Sequence, residues 1–232
     1  MKNLIKALDM GYRHRPDEML QYFLTEILVL WGLPRWRQVP EDAKQRISDA
    51  IETYGEEIQR QSPFHDVLGP LYMELSSHGG RQMLGQFFTP WPIAQMMAQM
   101  LSPETKSDDG RLLTTCDPAC GSGVMMLALA STVMKTHGPE ALLNWSFLGC
   151  DLDPFCSRMM AVQMIANCNV HGVQMGELIV LRGNSLLVDE EKELIVHASA
   201  PKVAVAPAKH PARMEALAVV AQSQQLDLFE MA

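Results

Sequence analysis

The stretch Asp117-Pro-Ala-Cys-Gly-Ser-Gly123 decides the fold of this chain. It follows the largely apolar run Arg111-Leu-Leu-Thr-Thr-Cys116 and leads into Val124-Met-Met-Leu-Ala-Leu-Ala130, so the order is strand, Gly-rich turn, helix. Gly121 and Gly123 have no side chains and let a ligand come close to the backbone, while Asp117 at the strand end can meet a charged or amino group. The turn lacks the three-glycine dinucleotide fingerprint and the Gly-Lys-Ser/Thr ending of a phosphate loop. A nucleoside ligand without a phosphate grip is the expectation.

Working outward, Ser146-Phe-Leu-Gly-Cys-Asp151 reads as a second strand, followed by Asp151-Leu-Asp-Pro154 and a helical stretch from Phe155 to Asn167 that His171-Gly172 closes. An acidic residue at this strand end can accept hydrogen bonds from two ribose hydroxyls, which makes Asp151 the ribose candidate. Glu177-Leu-Ile-Val-Leu-Arg182 gives a third strand ending in Gly183-Asn-Ser-Leu-Leu187, and Glu193-Leu-Ile-Val-His197 a possible fourth. Ahead of the turn stand Gly85-Gln-Phe-Phe-Thr-Pro90 and the helical run Trp91 to Leu101. Thr89 is expected to cap that helix, with Pro90 and Pro92 in its first turn.

With these motifs in this order, the chain resembles the adenine-N6 DNA methyltransferases, in particular the modification subunits of type I restriction systems. The resemblance implies a Rossmann-like α/β sheet with S-adenosylmethionine as cofactor. It places Phe88 and Thr89 of the upstream motif, and Asp117, Pro118, Ala119, Gly121 and Gly123 of the turn, at that cofactor. It also implies an adenine contact after the third strand, usually an Asp, where this chain has Asn184; an amide supplies both a donor and an acceptor. One family feature is absent. Adenine-N6 enzymes carry Asn/Asp-Pro-Pro-Tyr/Phe, whose polar groups hold the target amino group and whose ring stacks on the flipped base. No Pro-Pro pair occurs in the chain, and the nearest analogue, Ala198-Ser-Ala-Pro201, has neither the amide nor the aromatic. No catalytic residue is therefore assigned, and methyl transfer by the chain alone is expected to be weak or absent.

At 232 residues and 47% apolar composition the chain can bury a core, yet it is short for the full family plan with a target-recognition domain. The expected fold is a truncated version of the methyltransferase sheet with an N-terminal helical lobe: residues 1–84 helical, 85–197 the cofactor domain, 198–232 a flexible tail. Within the lobe, Glu18 to Trp31 is apolar at helical spacing and ends at Gly32 and Pro34. A second helix runs from Pro40 through Tyr54, and a third over Asp66 to Leu75, where Gly69-Pro70 can delay the start. Met96, Met97, Met100, Met125, Met126, Met159, Met160 and Met164 lie in helical segments and are read as core filling.

A net charge of −8 is wrong for a protein that holds DNA unaided, so DNA contact is expected through a partner. The clusters Arg13 with Arg15 and Arg35-Trp-Arg37 are read as solvated turns. Five cysteines without a Cys-x-x-Cys pair suit buried free thiols in a reducing cytoplasm, and no metal site is expected. No membrane span or secretion signal is expected either.

The C-terminus carries a separate signal: Gln225-Leu-Asp-Leu-Phe229 resembles the bacterial sliding-clamp-binding peptide. That resemblance implies Gln225 in a small polar cavity, Leu226 and Asp227 as connecting positions, and Leu228 with Phe229 as the apolar anchors. Three functions follow as expectations. The first is a cofactor-binding family member, weak or silent alone and tethered to the clamp. The second is an active subunit completed by a partner, and the third a non-enzymatic replication adaptor or inhibitor.

Overall fold

The computed structural model describes residues 1–11, 13–77, 87–101, 107, 110–187, 191–200 and 211–221. Among them, four strands form one sheet: β1 (Leu113–Asp117), β2 (Trp145–Asp151), β3 (Glu177–Arg182) and β4 (Glu193–Ser199), in the spatial order β1-β2-β3-β4. The first three are parallel, and β4 lies antiparallel beside β3. Helix α6 (Val124–His137) connects β1 to β2 with a short 3-10 turn, Pro139–Asn144, and α7 (Pro154–His171) connects β2 to β3. Both parallel connections thus return over a helix, and the carboxyl ends of β1, β2 and β3 come together at one edge of the sheet.

Side chains on β2 and β3 alternate between two apolar layers, as a sheet covered on both faces requires. Phe147, Leu178 and Val180 point into the large core with Met159 and Val162 of α7. Leu148, Cys150, Ile179 and Leu181 face Ala216 and Val220 of α8 (Pro211–Ala221). On that second face Ser146 donates to Glu177, whose other oxygen lies 3.2 Å from His197 Nε2, a polar rung across three strands. Sheet and covering layer therefore draw on residues past 197: β4 runs to Ser199 and α8 seats on the sheet, so the segment assigned to a tail includes structural elements.

The helical lobe contains α1 (Lys2–Leu8), α2 (Pro16–Leu30), α3 (Glu41–Arg60) and α4 (Leu68–Ser77). Helix α2 buries Leu20, Phe23, Leu24 and Ile27 at the expected spacing, and α3 runs well past Tyr54 to Arg60. Gly69 and Pro70 fall in the first turn of α4, where a proline costs no hydrogen bond, so Asp66 precedes the helix. Lobe and sheet layers share one continuous core from Leu4 to Ala198. The guanidinium of Arg158 on α7 fastens the outer corner: it lies 4.2 Å from the Trp36 ring and donates to Glu193 (2.8 Å) and to the Pro154 carbonyl (2.9 Å).

Two expectations are corrected here. Thr89 does not cap α5 (Trp91–Met100); Pro90 holds the N-cap position without a side-chain bond, and Pro92 lies in the first turn. Met96, Met97 and Met100 are not core residues, because α5 seats on Val124 and Ala128 of α6 through Ala94 and Ala98 and turns its longer side chains outward. Met126, Met159, Met160 and Met164 do fill the core. In keeping with the missing family loop, β4 does not lead to the cofactor edge. It runs against its neighbours, and Ala200 N donates to the Gly176 carbonyl at the opposite pole of the sheet.

Arg15, Arg35 and Arg37 are satisfied within the lobe by Asp17, Glu26 and Glu18 respectively. All five cysteines are free thiols. Burial pushes Cys150 up to about 11 and drives Cys120, Cys156 and Cys168 far above the ordinary thiol range. Among the described residues no helix is long and apolar enough to cross a membrane.

Candidate cofactor site

The site grows from the ends of β1 and β2. Past Asp117 the chain makes a tight turn in which Cys120 N donates to the Cys150 carbonyl (2.9 Å) and Gly123 N to the Cys120 carbonyl (2.7 Å), tying the turn to the neighbouring strand. Gly121 (φ +53°) and Gly123 (φ +89°) both take the left-handed conformation that L side chains resist. At Gly121 there is also a spatial demand, since a Cβ would lie 3.1 Å from the Phe88 ring. Phe88 therefore lies directly over the turn, backed by Tyr72, which stands 5.2 Å from both Phe88 and Phe155 between ring centroids. This contact joins the upstream motif to the turn.

Asp151 has more to do than meet a ligand. Its Oδ2 accepts from Gly121 N (2.8 Å) and its Oδ1 from Asp153 N (2.9 Å), so one carboxylate holds both the Gly-rich turn and the start of α7. A carboxylate has about four lone-pair directions, which leaves capacity for ribose hydroxyls. Asp153 in turn caps α7 by accepting from Phe155 N (2.8 Å). Asp117 accepts from Ala119 N (3.1 Å), and burial together with the nearby Asp151 charge holds its carboxyl above the usual range. A cationic group arriving between the two carboxylates relieves that repulsion, which is the chemistry an ammonium or sulfonium ligand offers. Pro118 and Ala119 are exposed at the mouth of the turn.

On the far side of Asp151 lies a cavity of about 190 Å³ lined by Leu152, Arg182, Gly183, Asn184, Glu191 and Glu193. Gly183 N donates to the Asp151 carbonyl (3.0 Å), and Asn184 Oδ1 accepts from Leu186 N (3.0 Å). The amide thus shapes its own turn at the wall of that cavity. A larger cavity of about 430 Å³, lined in part by Pro139, Glu140, Gly172 and Val173, is at the opposite pole and shares no residue with these motifs. The geometry at the strand ends fits S-adenosylmethionine: bare turns for close approach, two carboxylates for cationic and ribose groups, and an adjoining space for a ring.

Of the assigned residues, Phe88, Asp117, Gly121, Gly123, Asp151 and Asn184 converge on this edge, with Thr89 half-buried beside Phe88. Gly85 and Gln86 of the upstream motif, and Gln225, Leu226, Asp227, Leu228 and Phe229 of the terminal peptide, lie outside the described residues. Sequence reading missed Asp66, Ser122 and Gln163, which are buried against the turn. The available signal was Gln163 and Asn167, two amides four apart and so on one face of the helical stretch from Phe155.

Comparison with known proteins identifies the family. The family model described as N-6 DNA Methylase matches residues 64–210. A curated relative, the type I restriction enzyme MjaVII methylase subunit of Methanocaldococcus jannaschii, is 26% identical over 165 residues, covering 70% of this chain and 25% of the relative. The chain thus spans about a quarter of that relative's length. A solved structure from Listeria monocytogenes, assigned to the class I S-adenosylmethionine-dependent methyltransferases, aligns over 80% of this chain and 54% of its own, with 14% identity and a TM-score of 0.41. With the family match extending over more than half of its residues, around the turn and both carboxylates, the chain belongs to the N-6 DNA methylase family.

Proposed function

We propose that this chain binds S-adenosylmethionine in the site described, transfers methyl groups weakly or not at all on its own, and is tethered to the replication sliding clamp by Gln225-Leu-Asp-Leu-Phe229. The observation that carries the cofactor reading is Asp151, whose carboxylate grips Gly121 N at 2.8 Å and so unites ribose candidate and Gly-rich turn in one rigid unit. Weak chemistry is supported by the lack of a Pro-Pro pair and by the reversal of β4, which carries the chain away from the cofactor edge. Without polar groups to hold the exocyclic amine, its lone pair stays delocalised into the base and attacks a methyl sulfonium poorly. The net charge of −8 favours DNA contact through a partner.

Calorimetric titration with S-adenosylmethionine is the direct test, and saturable heat with one site per chain is expected. Asp151→Ala removes charge-assisted bonds worth about 1.5–3 kcal/mol and should weaken binding by roughly ten- to a hundredfold. An absence of heat with the wild-type chain would end the cofactor reading.

A second reading is favoured by the intact turn and carboxylates: an active methyltransferase subunit that a partner completes. The methylase-subunit name of the Methanocaldococcus jannaschii relative suits it. Labelled cofactor separates the two. Methyl incorporation into DNA by the chain alone, well above a no-protein control, contradicts the silent reading, whereas incorporation only with added partner subunits supports the second. For the tether, a pull-down on immobilised bacterial sliding clamp should retain the chain, and Phe229→Ala should reduce retention at least about tenfold, as loss of a buried aromatic anchor does. Equal retention of both proteins would refute the peptide assignment. The adaptor or inhibitor reading gains ground if clamp retention stands and cofactor binding does not.

A further inference from the structure

The segment before α4 reaches the cofactor turn through a buried polar network that the family motifs do not include. Asp66, 3% exposed, accepts from Gly69 N (2.9 Å) and from Gln163 Nε2 (2.7 Å), and its second oxygen lies 3.4 Å from Ser122 Oγ. Gln163 is fully buried on α7 and uses its whole amide. Its nitrogen donates to Asp66 and to the Ser122 carbonyl (2.9 Å), and its oxygen accepts from Val67 N (2.8 Å) and Leu68 N (2.9 Å). One turn along α7, Asn167 accepts from Phe64 N (2.6 Å) and donates to the Gln163 carbonyl (2.9 Å). Ser122 sits between the two left-handed glycines of the turn, so whatever fixes its peptide fixes the conformation of both.

The local backbone is shaped around this contact. Phe64 holds φ +61°, a left-handed state that a bulky residue avoids, yet its ring is fully buried and its N–H is bonded to Asn167. At Gly69 a Cβ would lie 2.3 Å from Asp66 Oδ2 and 2.8 Å from Ser122 Oγ, so only glycine lets the start of α4 approach. Met160, one turn before Gln163, completes the same face of α7: a Cβ on Gly123 would lie 2.7 Å from its Cγ. The face of α7 that meets the turn is therefore Met160, Gln163 and Asn167, with apolar contact on the cofactor side and amides toward the lobe.

We propose that Asp66 and Gln163 are positioning residues for the cofactor turn, holding the Ser122 peptide so that S-adenosylmethionine binding and docking of residues 64–69 stabilise each other. This rests on the cofactor reading of the same site. Neither residue touches the ligand; both act through Ser122. Because the coupling is reciprocal, occupying the turn must tighten the 64–69 segment by the same factor that the segment lends to affinity.

The test combines calorimetry with amide exchange on the full chain. Asp66→Ala is expected to weaken S-adenosylmethionine binding about tenfold at unchanged stoichiometry, which reports on folded molecules only. Asp66→Asn keeps an acceptor for Gly69 N and Gln163, and should restore affinity to within about threefold of wild type. Gly69→Ala, whose methyl would push the Asp66 carboxylate and Ser122 Oγ out of place, should weaken binding and lower the unfolding temperature together, at unchanged stoichiometry. In wild-type protein, adding cofactor should slow exchange at the Val67, Leu68 and Gly69 amides. If Asp66→Ala abolishes folding, Gly69→Ala and the exchange experiment decide. Unchanged affinity in Asp66→Ala or Gly69→Ala, or exchange at these amides indifferent to cofactor, overturns the positioning role. A wild-type chain that gives no binding heat removes the cofactor reading itself, a result distinct from binding that ignores the network.

Discussion

Gly123→Ala is expected to lose S-adenosylmethionine affinity by well over tenfold and to unfold roughly 6–12 °C below the wild-type chain, for two reasons that add. First, at φ +89° an alanine must hold a left-handed backbone, at about 1–2 kcal/mol. Second, its Cβ would stand 2.7 Å from Met160 Cγ and 3.1 Å from Met160 Cα, and the latter belongs to the α7 backbone, which cannot swing aside. Overpacking of this kind costs a further ~1–3 kcal/mol. Gly172→Ala is the matched control: it closes α7 with φ +62° and has open space around the added methyl, so it carries the conformational cost alone. Thermal unfolding and calorimetry on the two variants separate the terms. A Gly123→Ala protein no worse than Gly172→Ala would show that Met160 yields and that the turn is less constrained than its geometry indicates.

For Gln163→Glu, a loss of about 3–5 kcal/mol is expected at neutral pH, although the two side chains have nearly the same shape. The change replaces a donor by an acceptor where two acceptors already face it, Asp66 Oδ1 at 2.7 Å and the Ser122 carbonyl at 2.9 Å. Two buried carboxylates so close cannot both ionise, and one proton shared between them would restore a single hydrogen bond. Asp66 begins from a favourable position for holding it, because burial already lifts its carboxyl above the ordinary range despite the bonds from Gln163, Gly69 and Ser122. A raised folded-state value means that the native variant binds more protons than the unfolded chain from the usual carboxylate range up to that raised value. Its stability is then lost as pH rises through that window and regained on acidification. Urea unfolding of variant and wild type between pH 8 and pH 5 should therefore show the gap between them narrowing as pH falls. A constant gap would mean that the pair is hydrated and that the network is looser than the distances suggest.

Much of the fold can be read from local pattern, because the relevant forces are local. The apolar run 177–182 became β3 with the expected limits, and Gly172 closes α7 in the left-handed state that favours glycine. The turn and its two carboxylates were equally legible, since spacing along the chain fixes which strand ends carry them. What pattern could not supply was direction and distance. Alternating or continuous apolar residues in 193–199 mark a strand without saying which way it runs, so the antiparallel course of β4 emerges only from its pairing with β3. Asp66 and Gln163 are 97 positions apart, and no local period links them. The outward methionines of α5 escaped for a related reason. A ten-residue helix that seats itself on two alanines leaves its longest apolar side chains on the unseated face.

The undivided core also bears on how the protein can be handled. The family match begins at Phe64, and a fragment cut there would look like a natural unit. Yet α2 and α3 lie against α7, and buried side chains from Leu4 to Ile58 belong to the same apolar mass as those beneath the sheet. Trimming at that boundary would strip the greasy flank of α7 and leave it open to water, a recipe for insoluble material during production. The first sixty-odd residues are best regarded as the missing wall of the methylase domain, to be kept in any shortened version intended for crystallisation or assay.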